Sequence, residues 1–130
     1  MDARFVVCGH GGFGSGLHEA LRLLCGDDER VASLDFKEGD SFEELAERMA
    51  ELVDEAPDVP TVICTDVQGG SPFKASVLTG MGRDNVRLVT GTNFPLLMGL
   101  VFPAEETGDV DKLVAGALSA ARDALVTVTL

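Results

Sequence analysis

The chain has 130 residues and a formal net charge of −12, from 22 acidic and 10 basic side chains. Its length and its hydrophobic content of 45% predict a single acidic globular domain over residues 1–130, large enough to bury a core without disulfide or metal staples. The negative charge argues against binding to nucleic acid or to an anionic membrane, because both contacts depend on Lys and Arg.

The N-terminal half alternates between strand and helix patterns. Residues 4–8 form a short apolar run that ends at a glycine, and the leucines that follow have helical spacing. Residues 30–36 have the pattern of a second strand. Ser41 with Glu44 three residues later forms a capping box, which predicts the start of a second helix. The apolar face predicted for that helix comprises Phe42, Leu45, Ala46, Met49, Leu52 and Val53.

The same alternation continues in the C-terminal half. Strands are predicted at residues 61–65 and 86–90, followed by helices at about 72–81 and from about Phe94. A last helix with apolar positions at helical spacing comes next. The chain then ends in an alternation of β-branched residues, which predicts a C-terminal strand at about 124–130.

Four strand-then-helix units predict an α/β fold with a doubly wound, mainly parallel sheet of four strands and helices on both faces. Right-handed crossovers favour the strand order 2-1-3-4, in which the first and third strands are neighbours. Ligands of such sheets bind at the carboxyl ends of the strands, where the order reverses. The loops after the first and third strands, residues 9–16 and 66–73, are therefore predicted to form the site, and they hold much of the chain's glycine.

A histidine and a carboxylate follow the two central strands. His10 comes directly after the first strand, between two glycines, and Asp66 ends the third strand. The predicted topology brings this carboxylate beside the imidazole, where it can accept a hydrogen bond from one ring nitrogen and fix the tautomer. The other nitrogen is then free to act as a nucleophile. His10 and Asp66 are the candidate catalytic residues; the alternatives are a structural histidine and a turn-capping aspartate.

An anion site is predicted at the start of the third helix. Ser71 is a favourable N-cap and Pro72 suits the first helical position. Gly69 and Gly70 allow the backbone to approach closely, so a phosphoryl group can bind at the helix N-terminus with the Ser71 hydroxyl as an additional donor. Alone, this segment is equally typical of an ordinary capped helix. Together with the histidine and carboxylate, it indicates phosphoryl transfer to and from histidine.

The sequence gives little support for a nucleotide or metal site. It contains no P-loop, no H-E-x-x-H and no Cys/His cluster, so no cofactor and no metal are expected. Gly9, Gly11 and Gly14 do fit G-x-G-x-x-G after a strand. Asp35, at the end of the second strand, stands where a ribose contact is expected, which leaves a non-catalytic nucleotide or dinucleotide sensor as an alternative. His18, on the predicted first helix, is assigned no role.

The cysteines and the N-terminus favour a cytoplasmic protein. Cys8, Cys25 and Cys64 are odd in number and widely spaced, which is typical of reduced thiols. No basic segment followed by a long apolar run opens the sequence, and no apolar run is long enough to span a bilayer. Secretion and membrane insertion are therefore not expected.

At these residues the sequence resembles the IIA proteins of the mannose family of the bacterial phosphotransferase system, over nearly the whole chain. The similar stretches are G-H-G at 9–11, S-G-L-H-E-A-L at 15–21, D-F-K-E-G at 35–39, D-V-Q-G-G-S-P-F at 66–73 and G-T-N-F-P-L-L at 91–97. The resemblance implies that His10 is the phosphorylated residue, that Asp66 orients it, and that Ser71 with its neighbouring amides contacts the phosphoryl group.

The resemblance also implies partners. In that family the histidine receives its phosphoryl group from the phosphocarrier protein HPr and passes it to a IIB protein, which phosphorylates sugar taken up through membrane permease subunits. Its members are homodimers that exchange a C-terminal strand, which here is the segment at about 124–130. Because the chain ends at Leu130, the IIB partner is expected to be a separate polypeptide.

Two alternatives within this reaction class stay open at this point. One is the IIA-like phosphocarrier subunit of dihydroxyacetone kinase, and the other is a regulatory domain that is phosphorylated only as a signal. The sugar is not indicated, since the carrier itself does not contact it, so mannose, fructose, sorbose and amino sugars all stay open.

Overall fold

The computed structural model describes residues 2–130, so Met1 of the domain predicted over residues 1–130 lies outside the described residues. The chain groups into two compact units, Asp2–Thr92 and Asn93–Leu130, which are taken in turn, and the single domain stays a prediction. No helix of the described residues is long and apolar enough to cross a membrane. The elements in chain order are β1 (Arg4–His10), α1 (Phe13–Cys25), β2 (Val31–Phe36), α2 (Phe42–Asp54), β3 (Thr61–Thr65), α3 (Gly70–Gly80), β4 (Val86–Val89), α4 (Phe94–Val101) and α5 (Val110–Asp123).

The first unit contains a parallel sheet of four strands in the order β2-β1-β3-β4. The predicted fold class and strand order are therefore confirmed. The chain moves from β1 to β2 in one direction across the sheet and then back past β1 to β3. Because such crossovers are right-handed, this reversal places α1 and α2 on opposite faces of the sheet.

The face that α2 covers carries an apolar core. Val6 and Cys8 of β1 belong to it, and since successive side chains of a strand alternate between faces, His10 continues their row at the end of the strand. The inner side of α2 supplies most of the helical contribution, as its sequence pattern predicts. The buried members are Val6, Cys8, Leu34, Leu45, Ala46, Met49, Val53, Ile63, Ala75 and Val86, with Phe36, Phe42 and Leu52 packed against them.

The starts of α2 and α3 test the predicted helix caps. At α2 the Oγ of Ser41 accepts a hydrogen bond from the Glu44 amide at 3.3 Å, as predicted. At α3 the prediction of Ser71 as the N-cap and of Pro72 as the first helical residue is wrong. The N-cap is Gly69, and no side chain caps this helix. Gly69 and Gly70 have φ angles of 89° and 77°, so these two glycines turn the chain into the helix before the serine is reached.

The second unit is a pair of packed helices, α4 and α5. A Cβ at Gly99 of α4 would lie 3.3 Å from both Cα and Cβ of Ala117 of α5, so glycine allows the two backbones to approach closely. Asn93 ties the pair together at one end. Its Oδ1 accepts a hydrogen bond from the Leu96 amide at 2.9 Å, and its Nδ2 donates to the Ala121 carbonyl at 3.1 Å.

The strand predicted at about 124–130 is not formed in this structure. Helix α5 ends at Asp123, and residues 125–130 carry no strand. A β-branched alternation indicates only a propensity, and a strand also needs ladder hydrogen bonds from a neighbouring strand. Exchange of this segment within a homodimer therefore stays a prediction.

Candidate functional site

The register of the two central strands brings His10 and Asp66 together. Thr65, the last residue of β3, pairs with Cys8, whereas β1 continues to His10. Asp66 therefore comes beside the end of β1. Its Oδ2 accepts a hydrogen bond from the His10 backbone amide at 2.9 Å and lies 2.8 Å from the His10 Nδ1.

The carboxylate of Asp66 is held in its ionised form. Burial alone would raise its pKa, but hydrogen bonds from the backbone and ring of His10 and from the Val67 amide outweigh burial and lower the pKa below its usual value. Because a carboxylate only accepts hydrogen bonds, Nδ1 of the neutral His10 ring carries the proton, and Nε2 is left with the lone pair. The His10 side chain is 48% exposed and that of Asp66 14%, so the ring is accessible while its partner is covered.

The N-terminus of α3 lies against the imidazole on its Nε2 side. A Cβ built at Gly70 would be 3.0 Å from both Cε1 and Nε2 of His10. The first amides of a helix have no intrahelical acceptor and carry the positive end of its dipole. Gly69, Gly70 and Ser71 are all placed at this end of the helix, so an anionic group on Nε2 would meet amides rather than carbonyls.

An aromatic side chain beside His10 was missed by the sequence analysis. Phe36, the last residue of β2, is the cross-strand neighbour of His10. The centroids of the two rings are 6.3 Å apart and their planes make an angle of 89°. The signal that could have found Phe36 is its place at the end of a strand predicted to lie beside β1.

A second missed feature joins β2 to α1. Asp35 accepts hydrogen bonds from the backbone amide of Ser15 at 2.9 Å and from its hydroxyl at 2.6 Å. The carboxylate that the dinucleotide alternative assigns to a ribose is therefore engaged by the first turn of α1. The available signal was its position near the end of a predicted strand next to β1, with a serine at the start of the helix that follows β1.

His18 and the cysteines are not part of the pair that His10 forms with Asp66. His18 is half-buried on α1, with its Nδ1 3.1 Å from the Ser33 hydroxyl. Within residues 2–130 no group of three or more His, Cys, Asp or Glu could hold a metal ion. All three cysteines are free thiols: Cys8 and Cys64 are buried and Cys25 is exposed.

The chain is similar to known proteins along most of its length. The family model described as "PTS system fructose IIA component" matches residues 4–118. The mannose-specific EIIAB component of Escherichia coli K12 is 27% identical over 124 residues, which cover 95% of this chain but only 38% of that protein. The chain thus spans about two fifths of the length of this mannose-specific relative.

Two further similarities extend the comparison. The sorbose-specific EIIA component of Klebsiella pneumoniae is 27% identical over 96 residues, covering 74% of this chain and 70% of that protein. The crystal structure of a phosphotransferase system component EIIA from Streptococcus agalactiae superposes with a TM-score of 0.84 at 25% identity, covering 96% of both chains.

Proposed function

Since the chain belongs to the PTS fructose IIA component family, whose members are phosphotransferase components of sugar uptake systems, we propose that it carries a phosphoryl group on Nε2 of His10. HPr donates this group, and a IIB protein of the same system accepts it. The observation that carries the proposal is the position of the ring: Nδ1 contacts Asp66, and Nε2 lies at the N-terminus of α3.

The transfer itself is a nucleophilic displacement at phosphorus. The Nε2 lone pair of His10 forms a bond to the phosphorus atom, and the bond from phosphorus to the donor breaks, leaving its electron pair on the donor. The His10 ring becomes cationic in this step, and the adjacent Asp66 carboxylate stabilises that charge. Donation to the IIB protein is the same step in reverse, with His10 as the leaving group.

The start of α3 supports the phosphorylated state. Gly69, Gly70 and Ser71 offer amides at the positive end of the helix dipole, and the Ser71 hydroxyl adds a further donor. A dipole contact of this kind stabilises an anion by about 0.3 to 2 kcal/mol. That range suits a carrier, because a group bound much more tightly would not be passed on.

The similarities favour the sugar-transport reaction over the alternatives. The relatives described above are named as mannose- and sorbose-specific components. In this role the chain reaches the membrane permease subunits only through the IIB protein. Assembly as a homodimer and a cytoplasmic location remain predictions of the same proposal.

Phosphoryl labelling tests the assignment. We expect incubation with labelled phosphoenolpyruvate, Enzyme I and HPr to add one acid-labile phosphoryl group per chain, and His10→Ala to abolish it. His18→Ala is the matched control, because the chain has only two histidines. Full labelling of His10→Ala would contradict the proposal.

Calorimetry separates the carrier from a nucleotide sensor. A carrier supplied by a protein donor has no need to bind a free nucleotide. We therefore expect no heat of binding with ATP or NAD, under conditions in which the labelled carrier is fully active. Saturable binding of either nucleotide would favour the sensor.

A further inference from the structure

The imidazole of His10 lies beside Asp66, Gly70 and Phe36. Nearly half of its side chain is exposed, and the Asp66 carboxylate bonds to one atom of the ring. The backbone of Gly70 limits the ring near Nε2 and Cε1. The ring of Phe36 also lies beside the imidazole, at 6.3 Å between centroids and 89° between planes.

Phe36 is itself firmly anchored. It pairs with His10 in the β1–β2 register, and its carbonyl accepts a hydrogen bond from the Gly11 amide at 2.8 Å. Its side chain is half-buried and packs against the core beneath α2. The backbone directly after the histidine is thus hydrogen-bonded to the residue whose ring contacts the imidazole.

One hydrogen bond does not fix the orientation of an imidazole. The torsion about the Cβ–Cγ bond of histidine is broad, so a ring held only at Nδ1 can rock about that contact. A perpendicular aromatic neighbour at this separation lies within the preferred range for aromatic pairs and restricts such rocking. Displacement at phosphorus needs the attacking atom aligned with the bond that breaks, so a rocking Nε2 lowers the rate.

We propose that Phe36 is a positioning residue for phosphoryl exchange, which holds the plane of the His10 imidazole so that Nε2 stays directed toward the start of α3. Phe36 contacts neither the phosphoryl group nor the donor in this role; it acts through the histidine. The inference rests on the proposed phosphoryl carriage by His10.

The test compares two phenylalanines in single-turnover transfer from phosphorylated HPr. Phe36→Leu keeps an apolar side chain but removes the flat ring. Phe42→Leu is the matched control, because Phe42 is also half-buried and packs against the same core. We expect Phe36→Leu to lower the first-order transfer rate about 3- to 10-fold relative to the control, with unchanged affinity for HPr.

A readout at His10 separates positioning from a general loss of stability. In ¹³C relaxation measurements the Cε1–H bond of His10 should have a lower order parameter in Phe36→Leu than in Phe42→Leu. Phe36→Tyr, which retains the ring, should restore both the order parameter and the transfer rate to within about twofold of the parent.

The outcomes also separate a failure of phosphoryl carriage by His10 from a failure of the role proposed for Phe36. Absence of labelling in the parent protein would overturn phosphoryl carriage by His10, and the role of Phe36 with it. Normal labelling of the parent, with equal transfer rates in Phe36→Leu and Phe42→Leu, would overturn the role of Phe36 alone.

Discussion

Gly70 and His10 are packed so closely that a side chain at position 70 would press against the imidazole. A Cβ at this position would lie 3.0 Å from Cε1 and Nε2 of the imidazole. The backbone φ of Gly70 is +77°, a conformation that is strained for residues with a side chain. The start of α3 is thus shaped around the nitrogen that we propose to be the nucleophile.

Gly70→Ala should therefore impair phosphoryl acceptance more than it impairs the fold. The added methyl group displaces the imidazole from the α3 N-terminus, and we expect the labelling rate to fall at least about 10-fold, the usual scale for misplacing a reacting group. The strained φ should also lower the free energy of unfolding by about 1 to 2 kcal/mol. Labelling kinetics and urea unfolding measure the two effects.

Gly82→Ala is the control for backbone strain. Gly82 has the same φ of +77°, but nothing in residues 2–130 beyond its own chain neighbours lies within 4 Å of a Cβ at that position. We expect a similar loss of unfolding free energy and an unchanged labelling rate. Equal labelling rates in Gly70→Ala and Gly82→Ala would show that the contact with His10 does not matter for acceptance.

Asp66→Asn should slow transfer while leaving the protein folded. The carboxylate accepts three hydrogen bonds, from the His10 amide, the His10 ring and the Val67 amide, and an asparagine amide group must turn one N–H toward a donor. An unsatisfied group of this kind costs about 1 to 3 kcal/mol, which corresponds to a rate loss of about 5- to 150-fold if it falls on the transition state. An unchanged labelling rate would mean that Asp66 caps a turn and does not take part in transfer.

The pH dependence of stability gives an independent check on Asp66. Its pKa is lowered in the folded protein, so its contribution is present above the ordinary aspartate pKa and is lost as pH falls through the lowered value. The difference in unfolding free energy between the parent and Asp66→Asn should shrink as pH falls below about 4, where the carboxylate takes up a proton. A difference that disappears near neutral pH would contradict this assignment.

The strands, their order and the meeting of His10 with Asp66 follow from patterns that are local in sequence. Apolar runs mark the strands, and the crossover rule then fixes which loops meet. The cap of α3 was mispredicted because Ser71 and Pro72 match cap statistics, whereas the chain enters the helix two residues earlier through the positive φ angles of Gly69 and Gly70.

The contact of Phe36 with His10 could not be predicted from local patterns, because it depends on the register between β1 and β2. One residue of slippage would move the phenylalanine to the other face of the sheet. The C-terminal segment at about 124–130 shows a different limit. Its composition favours a strand, but a strand forms only where a neighbour supplies hydrogen bonds.

The thiols should differ sharply in reactivity. Burial raises the pKa of Cys64 to about 12, and burial with the nearby charges of Asp66 and Asp35 raises that of Cys8 to about 12. Cys25 is exposed. With a disulfide reagent at about pH 8, we expect one thiol to react in the native protein and all three in denaturant. Cys25→Ser should remove the native reaction, and its persistence would show that a buried thiol opens to solvent.

Two glycines of α1 differ in whether the surrounding structure leaves room for a side chain. A Cβ at Gly14 would lie 2.5 Å from the Leu34 carbonyl oxygen and 2.7 Å from that of Val7, so the helix start is pressed against the strand backbones. Nothing lies within 4 Å of a Cβ at Gly16, two residues further along the same helix. The two positions thus share a helix but differ in the space around them.

Gly14→Ala should destabilise the protein, because the clash is with backbone oxygens that cannot rotate away, and overpacking of this kind costs about 1 to 3 kcal/mol. Gly16→Ala should instead stabilise α1 by about 0.5 to 1 kcal/mol, since alanine loses less conformational entropy than glycine in a helix. Urea unfolding of the two variants measures this difference in sign. Equal stability of the two variants would mean that the start of α1 moves away from the strand backbones without cost, which would contradict the close packing at position 14.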